Sequence, residues 1–269
     1  MNAREVLDLF DAEMRIHPPY SGVRVIEEPG LTSIVDEGAG VHGGWVTYTR
    51  LDARKAQQAI RAKVEFFRAR DQSFEWTVYD HDEPADLKKR LRELGFEPEA
   101  PEALLALDLE AGSSIIGAVT QADIRIVADP AWIDTVMDVQ RGVWHEDFSG
   151  LAAELYRVLQ KDPAQISVYL AYADGLPVST GWTWFFDGSH FARLNGGCTL
   201  PIYRGRGLYS ALISVRALEA RLRGVRFLVV DASQHSRPIL EKMGFRFLTY
   251  SQPFVWKPAS PHRGDDSRP

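Results

Sequence analysis

A glycine-rich turn at 201–209 contains the residue types with the clearest chemical potential. It reads Pro-Ile-Tyr-Arg-Gly-Arg-Gly-Leu-Tyr and stands between a strand-like segment and a long helix pattern. Glycines at 205 and 207 allow the backbone to approach a bulky ligand closely. Amides that open a helix lack intrahelical partners and lie at its positive end, so they favour phosphate oxygens. With the forked donors of Arg204 and Arg206, the turn predicts binding of a phosphate-bearing ligand.

Two common nucleotide-binding motifs are absent from this turn. The phosphate-loop pattern GxxxxGK[ST] does not occur there, and GxGxxG fails because position 210 is serine. These absences argue against a nucleotide hydrolase and against a dinucleotide-dependent oxidoreductase. A tight turn with a purely structural role is the alternative for a Gly-x-Gly pair.

The surroundings of the turn carry a family resemblance. Arg204-x-x-Gly207 follows Pro201, and after a helix and a strand at 227–231 a short helix ends in Glu-Lys-Met-Gly-Phe at 241–245. This order resembles the acyl-CoA-dependent N-acetyltransferases of the GNAT superfamily. Their motifs are Q/R-x-x-G-x-G/A at the mouth of a helix and, later, N-x-x-A-x-x-L-Y-x-K-x-G-F. The resemblance covers 120–257, whereas the first half shares only the element order and one Gly-Phe pair.

The resemblance implies acetyl-CoA, or another acyl-CoA, as co-substrate, with no metal. Backbone amides at the motif would bind the CoA pyrophosphate, which assigns Gly205, Arg206, Gly207, Leu208 and Tyr209, with Arg204 beside them. The end of the preceding strand, at Cys198, Thr199 and Leu200, would pair with the pantetheine arm and polarise the thioester carbonyl. Ser233 and Ser236 complete the expected cofactor-binding set.

Three residues depart from the family pattern. Tyr209 stands where the motif prefers glycine or alanine, so the first helical turn is bulkier. Ser233 stands at the family's asparagine position and reaches less far toward pantetheine. Leu240 replaces the tyrosine that in many members protonates the departing thiolate, and leucine cannot donate a proton. Another group or the solvent must therefore supply that proton.

Amide formation needs a deprotonated amine, a polarised carbonyl and a proton for the leaving thiol. The strand at 191–197 has no carboxylate, although many relatives place a base there. Glu146 and Asp147 form the nearest acidic alternative, and a solvated, helix-capping loop is the competing interpretation. His235 is a candidate general acid, with a surface loop histidine as the alternative. Cys198 lacks a convincing histidine partner, so a small buried thiol is favoured over a nucleophile.

The hydrophobic pattern predicts an α/β (α+β-like) fold with two GNAT-like domains, each a mixed, mostly antiparallel sheet flanked by helices. Helices are predicted at 3–15, 52–70 (capped by Asp52), 84–94, 131–144, 151–160, 208–222 and 237–243. Strands are predicted at 23–26, 31–35, 45–49, 74–79, 103–109, 124–127, 167–171, 178–186, 190–194, 227–231, 245–250 and 254–256.

The order of elements at 52–109 recurs at 208–250, which indicates an internal duplication. We therefore predict a degenerate GNAT-like domain at 1–112, a linker at 113–119, an N-acetyltransferase domain at 120–257 and a disordered tail at 258–269. In the first domain the turn at 49–54 contains no glycine, and Asp52 would repel a pyrophosphate. This domain is predicted to be a structural partner or a wall of the acceptor pocket.

The amino-acid composition argues against several classes of protein. The 269 residues are 45% hydrophobic and 25% charged, which is ordinary for a globular protein. No apolar run reaches the ~20 residues needed to cross a bilayer. The segment at 1–14 carries acids where a secretory signal would carry a basic and then an apolar region, so we expect no such signal there. The single cysteine excludes a disulfide framework. We expect a cytoplasmic protein without a membrane partner.

The formal net charge of −6 is unevenly distributed. Residues 1–118 have a net charge of −8, residues 119–269 one of +2, and residues 193–246 one of +7. This basic segment contains the proposed phosphate-binding turn. No nucleic-acid-reading motif accompanies it, so a nucleic-acid partner is not expected.

Three functions follow from the resemblance. The first is an N-acetyltransferase that transfers an acyl group from acetyl-CoA to a primary amine, on a small molecule or a peptide, by direct attack. The second is a non-catalytic acyl-CoA-binding or regulatory protein that keeps the fold. The third is a tandem acyltransferase acting on a special amine, similar to the mycothiol-forming enzymes. A monomer or a homodimer is expected in each case.

Overall fold

The computed structural model describes residues 1–37, 42–111 and 122–258. The predicted linker at 113–119, and the predicted tail beyond Pro258, lie outside these residues. Contacts divide the chain into two compact units. The first unit contains Met1–Tyr20 and Pro101–Ser251, and the second contains Ser21–Ala100 with the residues from Gln252 onward. The domains predicted at 1–112 and 120–257 are defined by the repeated order of elements, not by contacts, and their boundaries stay a prediction.

The described elements agree with an α/β fold. The helices are α1 (Ala3–Phe10), α2 (Ala53–Arg68), α3 (Leu87–Glu93), α4 (Ile133–Trp144), α5 (Ser149–Lys161), α6 (Leu208–Leu222) and α7 (Arg237–Lys242). The strands are β1 (Arg24–Glu28), β2 (Leu31–Val35), β3 (His42–Thr49), β4 (Ser73–Tyr79), β5 (Glu97–Pro98), β6 (Glu102–Asp108), β7 (Asp123–Ile126), β8 (Ile166–Ala173), β9 (Leu176–Phe185), β10 (Phe191–Thr199), β11 (Phe227–Ala232) and β12 (Arg246–Trp256).

The sheet of the first unit has the strand order β12-β6-β11-β10-β9-β8-β7. Only β10 and β11 pair in parallel, and the other neighbours are antiparallel. Successive residues of β8 pack in different clusters. Val168 joins the side chains of α4 and α5, whereas Tyr169 joins Leu208 and Leu212 of α6. Because strand side chains alternate between faces, α4 and α5 cover one face of the sheet and α6 the other.

Helix α1 packs in the first unit. Its capping box joins Asn2 and Glu5, and the amphipathic spacing buries Val6 and Phe10. The ring of Phe10 lies edge-to-face on Phe191 of β10, with 5.6 Å between centroids. The helix predicted at 3–15 continues past Phe10 as a wider, π-helical segment, Asp11–Ile16.

Glu13, on this π-helical segment, binds the turn before β10. Its carboxylate accepts hydrogen bonds from the Ser189 hydroxyl (2.9 Å) and the His190 amide (2.8 Å), and lies 2.6 Å from His190 Nδ1. Burial raises the pKa of Glu13, but the hydrogen bonds from His190 and Ser189 outweigh it and hold the pKa below its usual value. The charged carboxylate therefore helps to fix the N-terminal segment to the sheet.

We expect Glu13→Gln to reduce the free energy of unfolding by about 1 kcal/mol near neutral pH. A carboxylate whose pKa is lower in the folded than in the unfolded protein stabilises the fold at pH values above its unfolded-state pKa. That stabilisation is lost as the pH falls through its folded-state pKa. The difference between wild type and Glu13→Gln should therefore shrink below about pH 4.5 in urea titrations. Asp8→Asn is the control, because Asp8 pairs with Arg4 on an exposed surface. An equal difference at acidic and neutral pH would contradict this interpretation.

The second unit has the strand order β1-β2-β3-β4, and β5 pairs with Phe254 and Val255 of β12. Its core stacks the rings of Phe67 and Phe74 at 4.3 Å, with fully buried Trp76 beside them. Strands β3 and β4 pair in parallel around α2, as β10 and β11 do around α6. Asp52 caps α2 as the sequence predicts, its carboxylate accepting the Arg54 amide at 2.7 Å.

Strand β12 differs from the sequence prediction. The strands predicted at 245–250 and 254–256 are one continuous strand, Arg246–Trp256. Its residues up to Ser251 pair with β6 in the first unit, whereas Phe254 and Val255 pair with β5 in the second. Pro253, which separated the two predicted strands, is compatible with extended backbone, and its carbonyl accepts the Glu99 amide at 2.9 Å.

Candidate functional site

The glycine turn leads directly into α6. A short 3₁₀ turn at Pro201–Tyr203 precedes it, and α6 begins at Leu208 with Gly207 as its N-cap. Gly205 and Gly207 have φ values of +75° and +78°, which side chains other than glycine rarely adopt. A Cβ at either position would meet nothing within 4 Å. The space above the turn is therefore open to a ligand.

The amides of this turn are unpaired. Counting from the start of α6, Ala211 is the first residue whose amide donates a backbone hydrogen bond, to the Gly207 carbonyl at 2.9 Å. For the amides from Gly205 to Ser210, the part of the chain that the structure describes supplies no acceptor. These N–H groups lie at the positive end of a 15-residue helix. The arrangement is suited to an anion such as a phosphate.

Two guanidinium groups flank the turn. Arg204 Nε donates to the Thr199 carbonyl at 3.1 Å, which ties the turn to the end of β10. Arg206 lies 3.5 Å from the Asp174 carboxylate and 4.9 Å from the centroid of the Tyr203 ring. Both arginines are exposed, so their charge is available to an incoming anion.

Strands β10 and β11 separate beside the turn. Their parallel pairing comprises Phe191↔Phe227, Ala192↔Leu228 and Arg193↔Val229, whereas β11 stays paired with β6 as far as Ala232. Strand β10 continues along β9, and Leu200 donates its amide to Val178 at 2.9 Å. Strand alternation then directs the backbone groups of Thr199 toward the opening left by β11. We call this opening, past Arg193 and between β10 and β11, the slot.

A bulge in β10 produces the separation. The pairing of β10 with β9 shifts register between Asn195 and Cys198. Gly196 there has a φ of +61°, and its carbonyl accepts a 2.7 Å hydrogen bond from Gln140 of α4. The hydrophobic pattern predicts a strand only at 190–194, whereas the family resemblance implies a strand that ends at 198–200. The structure extends the strand to Thr199 through the bulge.

Arg216 lies beneath the bulge on the α6 face. It is 1% exposed and donates to the carbonyls of Trp182 (3.2 Å) and Asn195 (3.3 Å). Its second terminal nitrogen has no hydrogen-bond partner among the described residues. Burial lowers the pKa of Arg216 to about 10, so the guanidinium is charged at neutral pH.

Cys198 is a protonated thiol rather than a nucleophile. It is buried, and burial raises its pKa to about 12 despite the nearby charge of Arg204. Its carbonyl accepts a 2.6 Å hydrogen bond from Ser179 on β9. The predicted contact of Cys198 with a cofactor stays a prediction.

The predicted catalytic residues Glu146, Asp147 and His235 are all exposed. Asp147 accepts the amide and hydroxyl of Ser149 at 2.9 and 3.1 Å, and these hydrogen bonds lower its pKa. These bonds shape the turn that leads into α5, whose N-cap residue is Phe148. Within the described residues, no hydrogen bond joins His235 to either acid, and the catalytic roles of the three residues stay predictions.

The α4–α5 loop, which contains Glu146, approaches the end of β10. A Cβ on Gly142 of α4 would lie only 2.6 Å from Leu200 Cδ2, so the glycine allows this strand end to contact the helix closely. Because α4 ends two residues after Gly142, the loop begins near the predicted pantetheine-binding strand end. The acidic loop and the slot are therefore neighbours.

The loop before α7 contains the two predicted serines. Ser233 Oγ accepts the amides of His235 and Ser236 at 3.3 Å, which shapes the turn into the helix. Ser236 is the N-cap residue of α7. Leu240, where the resemblance in the sequence would place a tyrosine, is fully buried in the apolar cluster that α6 and α7 share.

Sequence reasoning gave no role to Asp231. This residue of β11 forms an ion pair with Arg193 and accepts the Ser251 hydroxyl at 2.9 Å. Leu194 packs toward α6, so Arg193 beside it projects from the opposite face, at the last pair before the slot. The available signal was a lone acid in the apolar strand Phe-Leu-Val-Val-Asp-Ala at 227–232.

Two features are absent from the residues that the structure describes. None of the helices combines the length and apolar character that a bilayer crossing requires. No group of three His, Cys, Asp or Glu side chains is placed to hold a metal ion in the same part of the chain.

Solved structures of other proteins share the fold of this chain at low sequence identity. No family model and no curated protein matches the chain. A GCN5-related N-acetyltransferase from Kribbella flavida superposes with a TM-score of 0.67 at 16% identity, covering 96% of this chain and 94% of its own. A tandem GNAT protein from the clavulanic acid biosynthesis pathway superposes with a TM-score of 0.59 at 16% identity, covering 96% and 95%.

A conserved protein of unknown function from Staphylococcus epidermidis superposes with a TM-score of 0.69 at 13% identity, covering 92% of this chain and 99% of its own. Such identities report on the fold alone. Together with the glycine turn, the β10 bulge and the slot, they show that this chain has the fold of the GNAT acetyltransferases.

Proposed function

We propose that the protein transfers an acyl group from an acyl-CoA, acetyl-CoA in the simplest case, to a primary amine. The observation that carries the proposal is the run of unpaired amides from Gly205 to Ser210, beside the slot between β10 and β11. An anion site and an open strand edge at one place match a co-substrate with a pyrophosphate and an amide-containing arm.

In this proposal the turn holds the pyrophosphate of CoA. Amides from Gly205 to Tyr209 donate to the phosphate oxygens, and Arg204 and Arg206 add charge. The strand end from Cys198 to Leu200 holds the pantetheine arm, while Ser233 and Ser236 face it from the loop before α7. The net charge of +7 over 193–246 favours association with this anionic co-substrate.

The reaction is a direct transfer. The neutral amine attacks the thioester carbonyl carbon, a C–N bond forms, and the C–S bond of the resulting tetrahedral adduct breaks. The amine proton leaves to a base, and the sulfur receives a proton. We place the acceptor beside the α4–α5 loop, where Glu146 and Asp147 provide carboxylates, because Gly142 brings that loop close to Leu200. The acceptor is an amine on a small molecule or a peptide.

We further propose that the other half is a degenerate copy in a tandem arrangement. Its parallel pair β3 and β4 surrounds α2 as β10 and β11 surround α6. At the start of α2, however, the Asp52 carboxylate already accepts the Arg54 amide, so this helix start is unsuited to a phosphate. A cytoplasmic location, and a monomeric or homodimeric state, belong to the same proposal.

One observation favours a second candidate, a non-catalytic acyl-CoA-binding or regulatory protein. Leu240 occupies the position of the family's proton donor and is fully buried. A protein that binds acyl-CoA without turnover would need no donor there.

Binding and turnover measurements separate the two candidates. Acetyl-CoA binding is measured by calorimetry, and release of free CoA is then followed with polyamines, amino acids, aminosugars and peptide N-termini. Saturable binding with amine-dependent thiol release supports the transferase. Binding without thiol release from any amine supports the second candidate, and absence of binding overturns both.

A further inference from the structure

Acyl transfer from a thioester requires a proton for the departing sulfur. Leu240 cannot supply it, because its side chain is apolar and fully buried among Leu228, Ile213 and their neighbours. The proton must come from another group that reaches the slot or from the solvent.

Tyr209 is placed to reach the slot. It belongs to the first turn of α6, and its ring extends toward the β10 bulge. A Cβ built on Gly197 would lie 2.9 Å from Tyr209 Cε2 and 3.6 Å from its hydroxyl oxygen. Because Gly197 has no side chain, the phenol occupies that space directly beside the backbone of β10. Cys198, the next residue, begins the strand end that follows the bulge.

The phenol faces the serine hydroxyl groups of a loop near solvent. The Ser236 side chain acts on the phenol of Tyr209 in the direction that lowers its pKa, and Ser236 Oγ lies 3.3 Å from Ser233 Oγ. His235, between the two serines in sequence, is exposed. A proton lost from the phenol can therefore be replaced from water through hydroxyl groups at the N-cap of α7.

Arg216 supplies a positive charge beside the phenol. The unpartnered nitrogen of this buried guanidinium would lie 3.5 Å from the same Cβ on Gly197. Burial raises the pKa of Tyr209, so the phenol is protonated at neutral pH, while the charge of Arg216 acts in the opposite direction and favours release of the proton. An orphaned buried cation also stabilises negative charge that develops nearby during a reaction.

We propose that Tyr209 is the proton donor to the departing thiolate, in place of the side chain missing at Leu240. As the C–S bond breaks, its electron pair moves to sulfur, and the Tyr209 O–H transfers its proton to that sulfur. The phenolate left behind faces Arg216 and is reprotonated from water through Ser236. This assignment rests on the proposed transferase function.

Tyr209→Phe tests the assignment, because it removes one oxygen and keeps the ring. We expect the single-turnover rate with saturating acetyl-CoA and the best amine acceptor to fall about 100-fold, within the usual range for loss of a general acid. The dissociation constant for CoA, measured by calorimetry, should stay unchanged. Tyr250→Phe is the matched control: this phenol accepts a hydrogen bond from Arg237 at 2.7 Å and is 41% exposed.

The outcomes separate the two levels of the proposal. A Tyr209→Phe protein that binds CoA and transfers at the wild-type rate overturns the assignment and leaves the transferase intact. Equal losses in Tyr209→Phe and Tyr250→Phe also overturn it, because the effect would then not be specific to the slot. A wild-type protein that does not bind CoA overturns the proposed function, and the donor assignment with it.

Discussion

The substitution Gly207→Asp is expected to abolish the thermal stabilisation that CoA confers. At a CoA concentration about a hundred times the dissociation constant, the wild type should gain about 2.7 kcal/mol. An aspartate at position 207 places a carboxylate among the unpaired amides that the pyrophosphate would occupy. At the few ångströms that separate such groups, repulsion between like charges amounts to several kcal/mol. Binding should therefore fall below detection in calorimetry and in thermal melts.

This substitution is informative because the free protein should tolerate it. A Cβ at Gly207 meets nothing within 4 Å, and aspartate adopts positive φ more readily than most residues. A carboxylate near the start of α6 also interacts favourably with the helix dipole, typically by ~0.3–1 kcal/mol. The positive φ of Gly207 costs a residue with a Cβ about 1–2 kcal/mol, which the helix dipole offsets in part, so the melting temperature without CoA should fall modestly. The CoA-induced increase in melting temperature should disappear.

Gly207→Asn is the matched control, since it has nearly the same shape and backbone preference without the charge. We expect it to bind CoA more weakly than wild type but measurably. The gap between the aspartate and asparagine variants should narrow at high salt, because ions screen the repulsion. Unchanged CoA stabilisation in Gly207→Asp would show that the pyrophosphate binds elsewhere, and equal losses in both variants would show that space rather than charge decides binding.

The glycine turn could be predicted because its requirements are local. Gly205 and Gly207 have the positive φ values that their residue type suggests, and α6 spans 208–222 as the periodicity predicts. The Asp52 cap of α2 follows from equally local rules. The fold class was also accessible, because alternating elements and two ordered motifs define it before any long-range contact is known.

Features that depend on distant partners could not be predicted. Along β12 the pairing partner changes from β6 to β5, and both partners lie far from β12 in sequence. Strand β10 passes Asn-Gly-Gly because Trp182 and Gln140 accommodate a bulge there. Asp231 acquires its place at the slot only when β11 pairs beside Arg193. In each case the local sequence does not favour one structure over another, and contacts with residues distant in sequence determine which one forms.

The bulge itself gives the second large effect: Gly196→Ala should destabilise the protein by about 2–5 kcal/mol and impair transfer. A methyl group at position 196 would lie 1.8 to 2.3 Å from ring carbons of Trp182, which is 4% exposed and cannot move freely. Overlap in a packed region typically costs about 1–3 kcal/mol. The φ of +61° adds about 1–2 kcal/mol for any residue with a Cβ.

Gly188→Ala separates the two contributions, and urea unfolding of both variants measures them. Gly188 has a φ of +73°, but a Cβ there meets nothing within 4 Å, so its replacement introduces backbone strain alone. The excess loss of stability in Gly196→Ala then reports the contact with Trp182.

Relief of that contact requires the Trp182 ring or the bulge to move, and either movement alters where β10 leaves β11. We therefore expect Gly196→Ala to lose CoA-induced stabilisation while Gly188→Ala keeps it. Equal effects of the two substitutions would mean that the bulge does not shape the slot.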